Sequence, residues 1–148
     1  MEYRSLKKDN DKKSKGIGRL SSSLHDQTAE LVVELMNAAT SFHKLHLSVT
    51  GDGSYAQHKA LNEIYDALPE LADTIAEGMQ GACEKILNYP DKAPVSLSGV
   101  DGAVQYLRNL TEEVNQLQAV MPYSEIINNL DLVKDSINTA KYKLIFLS

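Results

Sequence analysis

Apolar side chains recur along this chain in steps of three and four, and the steps fall into four separate runs. The first comprises Leu24, Leu31, Leu35, Ala38, Phe42, Leu45 and Val49. The second comprises Leu61, Ile64, Leu68, Leu71, Ile75 and Met79. Val104, Leu107, Leu110, Val114 and Leu117 make the third, and Ile126, Leu130, Val133, Ile137, Ala140 and Leu144 the fourth. Such spacing puts each run on one stripe of an α-helix, and the alternating fours and threes of the last run are those of a bundle seam. No stretch alternates apolar and polar residues convincingly as a strand does.

The breaks between the runs carry turn chemistry. Helix one is expected from about Ser23 to Val49, opened by Ser23 with Asp26 and broken by Gly51-Asp52-Gly53. At about 27 residues it would be roughly 40 Å long. Helix two is expected from Ser54, with Gln57 completing an S-x-x-Q capping box. Pro69 should kink this helix or free a carbonyl, and Gly78 and Gly81 mark its expected end. Residues 82–97 form a long connection containing Pro90 and Pro94. Helix three starts near Ser98 or Asp101, and Pro122-Tyr123-Ser124 turns the chain into helix four.

Two helix pairs joined by one long link predict an all-α protein: a ferritin-like four-helix bundle with a long crossover between helices two and three. A simple up-and-down bundle remains the alternative, because sequence does not fix how the link travels. Residues 1–20 show little apolar periodicity and are expected to be a basic, flexible N-terminal tail. Residues 21–148 form the bundle.

Charge divides along the same line. Residues 1–20 carry Arg4, Lys7, Lys8, Lys12, Lys13, Lys15 and Arg19 against Glu2, Asp9 and Asp11, a balance of +4. The whole chain is at −5, so the remaining 128 residues carry −9. An acidic body attracts cations, and a basic arm can touch a polyanion through phosphate contacts that ignore sequence. Lys7, Lys8, Lys12, Lys13, Lys15 and Arg19 are the candidate DNA-binding residues. A lone cysteine, Cys83, excludes an internal disulfide and fits a reducing cytosol; it is expected to pack as a small apolar residue. No apolar run nears the ~20 residues that span a bilayer, so no membrane role is expected. The charged N-terminus lacks the apolar core of a secretory signal.

His46, His58, Asn62, Asp73 and Glu77 are the candidate metal ligands. His46 and His58 stand about equally far from the Asp52 turn, so an antiparallel hairpin would set two imidazoles at one height. On helix two, His58, Asn62, Asp73 and Glu77 share a sector of about 100°. Fifteen residues separate His58 from Asp73, roughly 22 Å along the axis. A single ion touching both must take one of them from a second subunit, and a two-fold axis with antiparallel second helices would give two equivalent sites. His43 and His46 could alternatively form a private pair. His25 is expected on the surface, and Tyr55, Tyr65, Tyr106 and Tyr142 are expected to pack with their hydroxyls on polar partners.

The stretch HLSVTGDGSYAQHKALNEIYDALPELADTIAE resembles the signature of the Dps mini-ferritins, and DLVKDSINTAKYKLIFL is similar to that family's last helix. The motif spans residues 46–77. The resemblance implies an intersubunit ferroxidase site in which His46, His58, Asp73 and Glu77 hold one or two Fe ions. Asn62 falls where the family has an Asp, and Leu47 where an aromatic usually follows the first His. A neutral amide should hold a hard cation less well than a carboxylate does. Asp66 and His43, each one turn from a candidate ligand, could compensate, and Tyr65, near the site, could tune iron redox chemistry instead of only packing. The resemblance further implies a cytoplasmic homo-oligomer, in that family a hollow dodecamer, which oxidises Fe(II) with peroxide or dioxygen, stores ferric mineral and often binds DNA. SYAQHKALNEIYD also resembles uncharacterised phage-encoded proteins, which implies a bacterial or phage-infected cell. The alternative expectation is a catalytically degenerate ferritin-like protein, structural or DNA-associated, without ferroxidase activity.

Overall fold

Each of the four apolar stripes ends in a common core. The computed structural model describes the backbone of residues 2–148 and the side chains of residues 24–148. Its helices are α1 (Glu2–His46), α2 (Ser54–Cys83), α3 (Gly99–Val120) and α4 (Ser124–Phe146). The described residues contain no strand, and none of their helices is long and apolar enough to cross a membrane. Every stripe residue is either buried or packed against the buried cluster, with Leu35, Phe42, Leu61, Leu68, Leu107 and Leu130 fully enclosed. Helix α1 packs against α2 and α3, and α4 closes the ring by packing against the same two.

Several helix boundaries differ from expectation. Helix α1 ends at His46 rather than Val49, since the amides of Leu47 and Ser48 turn back to the carbonyls of Lys44 and Leu45. It also begins well before Ser23. The expectation of a flexible tail over residues 1–20 concerns side chains outside the described ones. So do the candidate DNA contacts Lys7, Lys8, Lys12, Lys13, Lys15 and Arg19, and the proposed cap at Ser23. Helix α2 runs through Gly78 and Gly81 to Cys83. Each glycine costs a helix about 1 kcal/mol against alanine. Ala76 and Met79 beside them are buried in the core. Helix α2 also continues through Pro69, whose missing N–H leaves the Tyr65 carbonyl without its helical donor.

The segment between α2 and α3 is tied down along its length. Gln80 Oε1 accepts the Leu87 amide at 3.1 Å and the Tyr89 hydroxyl at 2.8 Å. Asn37 donates to the Lys92 carbonyl at 2.9 Å, and Ser41 donates to the Val95 carbonyl at 2.7 Å, both from α1. Leu87 is buried, and Leu97 packs on the core. Gly99 and Val100, opening α3, share a cleft with Leu45, Val49 and Gln57 beside the α1–α2 turn. At the other end of α3, Leu117 and Val120 share a cleft with Gln27 and Leu31 of α1.

The tyrosines divide unequally. Tyr65 and Tyr106 are half-buried and hydrogen-bonded, whereas Tyr55 and Tyr142 are exposed, against the expectation that all four pack. Tyr55 is the second residue of α2 and faces outward, while the Tyr142 ring lies 5.8 Å from that of Phe146. Cys83 packs on the core, with its Sγ 3.8 Å from Met79 Sδ and from the Tyr123 hydroxyl. His25 is half-buried rather than on the surface, and its Nδ1 has no hydrogen-bond partner among the described residues.

Candidate metal centre

The α1–α2 turn decides where the histidines stand. Gly51 and Gly53 take positive φ values of 85° and 78°, which glycine adopts without a Cβ penalty. Gly53 caps α2 in the left-handed conformation, its carbonyl accepting the Gln57 amide at 3.1 Å. No side chain caps this helix, so the Ser54–Gln57 capping box does not form. Ser54 is already the first helical residue, whereas a capping hydroxyl needs extended backbone. The tight turn brings the last residue of α1, His46, against the second turn of α2.

There, His46 and His58 stack with ring centroids 4.2 Å apart. His46 is buried and His58 half-buried. The Nδ1 of His46 lies 2.7 Å from the His43 carbonyl oxygen, and the Nδ1 of His58 lies 2.9 Å from the His46 carbonyl oxygen. A carbonyl oxygen only accepts, so each Nδ1 carries the hydrogen. In the neutral rings each Nε2 is then a lone pair. Backbone carbonyls commonly fix metal-binding imidazoles in this tautomer and orientation.

Tyr65 and Asn62 extend the cluster from α2. The Tyr65 hydroxyl donates to Asn62 Oδ1 at 2.7 Å, and its oxygen lies 3.5 Å from His46 Nε2. Asn62 Nδ2 in turn donates to Asp66 Oδ2 at 2.8 Å, which fixes the orientation of the amide. The His43 ring stacks on the Tyr65 ring at 4.1 Å, nearly parallel, and the His46 ring meets it edge-on at 4.9 Å. Asp66, Asn62, Tyr65 and His46 thus form one polar chain. The sequence alone has Tyr65 packing with its hydroxyl on a polar partner, or else tuning iron chemistry beside the site. Its position seven residues after His58 and three after Asn62 puts it on the same helix face, and that was the signal for it.

Asp73 and Glu77 stand apart from this cluster. Both are exposed, and neither makes a hydrogen bond or ion pair among the described residues. Fifteen and nineteen helical residues put Asp73 and Glu77 roughly 22 and 28 Å from His58 along α2. Among the described residues, no three His, Cys, Asp or Glu side chains are grouped to hold a metal ion. Any centre built on His46 and His58 therefore needs other donors. Midway between His58 and Asp73–Glu77 lies an open cleft of about 400 Å³, lined by Met36, Ala39, His43, Tyr65, Asp66 and Pro69.

The sequence pattern of one protein family, described as a family of unknown function (DUF5856), matches residues 46–144. The matched span begins at His46 and contains all five candidate ligands and Tyr65. No curated protein matches the chain, and no solved structure does.

Proposed function

The chain belongs to this family of unknown function, and we propose that it is a Dps-like iron-binding protein whose Fe(II) site is shared between two copies. The observation that carries the reading is the pair of carbonyl-anchored imidazoles, His46 and His58, each presenting a lone pair at Nε2. Two nitrogen donors do not satisfy Fe(II), and Asp73 and Glu77 are exposed carboxylates on the same face of α2. A two-fold axis near residues 66–67 pairs residue 58 of one copy with residue 75 of the other. That level lies between Asp73 and Glu77. The cleft at Tyr65, Asp66 and Pro69 sits where this axis would pass, so it supports an antiparallel α2–α2 contact.

Fe(II) is the substrate in this reading. Two Fe(II) ions each give one electron to a peroxide, which takes up two protons and leaves as two waters. The anchored imidazoles and the second copy's carboxylates bind the ion and leave coordination positions open for the oxidant. The hydrogen bonds from Asn37 and Ser41 support reading the α2–α3 link as the long crossover of a ferritin-like bundle. A cytoplasmic homo-oligomer, with residues 1–20 touching DNA phosphates, completes the reading.

A second reading follows from Asn62. Its oxygen accepts from Tyr65 and its nitrogen donates to Asp66, so it brings a neutral, already engaged amide where a carboxylate would suit iron. The protein would then be a ferritin-like structural or DNA-associated component without ferroxidase activity. Stopped-flow absorbance after mixing with Fe(II) and peroxide separates the two. The iron reading predicts oxidation well above the buffer rate, lost in His58→Ala; oxidation at the buffer rate in the unaltered chain refutes it.

A further inference from the structure

We propose that Tyr65 is itself a ligand of this centre, binding ferric iron through its phenolate oxygen beside His46. The inference rests on the proposed iron site and names a donor within the same chain.

The geometry supports it in three ways. Two donors sharing one first-row ion at bonds of about 2.0–2.2 Å must lie within about 4.4 Å of each other. The Tyr65 oxygen meets that condition twice, at 3.5 Å from His46 Nε2 and 2.7 Å from Asn62 Oδ1. Next, the His46 nitrogen facing Tyr65 is the one left as a lone pair by the bond to the His43 carbonyl. Lastly, the phenol ring is held before any ion arrives, stacked on His43 and edge-on to His46. A hard, highly charged cation prefers an anionic oxygen, and a phenolate supplies the charge that Asn62 lacks.

The step balances simply. The hydroxyl hydrogen now lying between Tyr65 and Asn62 Oδ1 leaves to solvent as a proton. The phenolate oxygen forms a bond to Fe(III) in its place. Asn62 Oδ1, freed of that hydrogen, faces the same ion. No electron moves, so the inference does not depend on the oxidant. It also gives Asn62 a role: an amide oxygen can accept the tyrosyl hydrogen and then turn to the metal without adding a carboxylate's repulsion against Asp66.

The test is to load the full chain with ferric nitrilotriacetate, desalt it, and measure bound iron together with visible absorption and resonance Raman scattering. A phenolate on Fe(III) gives a visible charge-transfer band with tyrosinate ring modes. The unaltered chain should retain iron and show both. Tyr65→Phe should retain iron several-fold more weakly and lose the colour, while Tyr106→Phe should keep it. Iron retained by the unaltered chain without the band, or a band that survives Tyr65→Phe, overturns the tyrosine ligand and leaves the iron site standing. A chain that retains no iron overturns both the site and its ligand. Because the unaltered protein gives the spectrum, a misfolded variant cannot decide the result.

Discussion

Asn62 and Glu113 show how one side chain's surroundings set its chemistry. Asn62 is more than a weakened copy of an aspartate ligand, since its oxygen accepts from Tyr65 and its nitrogen donates to Asp66. Glu113, on α3, faces a cleft with Glu30 of α1 and Lys92 of the α2–α3 link. Burial, then the carboxylate of Glu34, push its acid above the usual range, with Glu30 adding to this and Lys92 opposing it. Glu34 also accepts the hydroxyl of Tyr106, whose acidity is lowered first by burial and then by that bond. The fold thus favours protonated Glu113. Between the ordinary carboxylate pKa and the raised one, the folded chain binds more protons than the unfolded chain, so stability falls as pH rises through that window. The loss persists at neutral pH. Glu113→Gln should therefore raise Tm at pH 7 by roughly 1–3 °C, a modest gain because the site is open to solvent. The difference should shrink toward pH 4. Thermal melts at both values check this, and a lower Tm for the variant at pH 7 contradicts it. None of this was legible in the sequence, since Glu34 and Glu113 lie 79 positions apart and only the α1–α3 contact joins them.

At the level of elements, the four apolar stripes were legible because burial acts on every third or fourth residue, and all of them reach the core. The ends were less legible because termini depend on contacts outside the helix. Ser54 and Gln57 fit a capping box by residue type, yet the cap is Gly53 in a left-handed conformation. The left-handed backbone there favours glycine, and a Cβ on Gly53 would also come within 2.7 Å of the Ser148 backbone. Gly51 has a similar φ but open space around it. Gly53→Ala should therefore destabilise by about 1–2 kcal/mol through the left-handed backbone, plus the displacement of Ser148. Gly51→Ala should cost less. Urea unfolding of both variants tests the order; equal losses would show that Ser148 moves aside freely. The α2–α3 link was legible as long and proline-bearing. Its seat on α1 was not, because Asn37 and Ser41 hold it through backbone carbonyls that any sequence presents.

For the whole molecule, one constraint of length governs the functional reading. Two imidazoles gather at the α1–α2 turn, two acids stand roughly 22 and 28 Å further along α2, and a rigid helix separates them. Helical periodicity made their shared face legible in the sequence. The stacking of His46 on His58 and the place of Tyr65 needed the actual turn geometry. If the centre is shared, each site takes its histidines from one copy and its carboxylates from the other. The decisive measurement is complementation. His58→Ala and Glu77→Ala chains, each unable to oxidise Fe(II), are co-expressed in equal amounts so that they pair at random. Sharing across a two-fold contact leaves roughly a quarter of the sites with all their ligands. The mixture should then recover about a quarter of the unaltered Fe(II) oxidation rate. A mixture no faster than either variant alone, although mass spectrometry shows both chains in one particle, would contradict the shared centre.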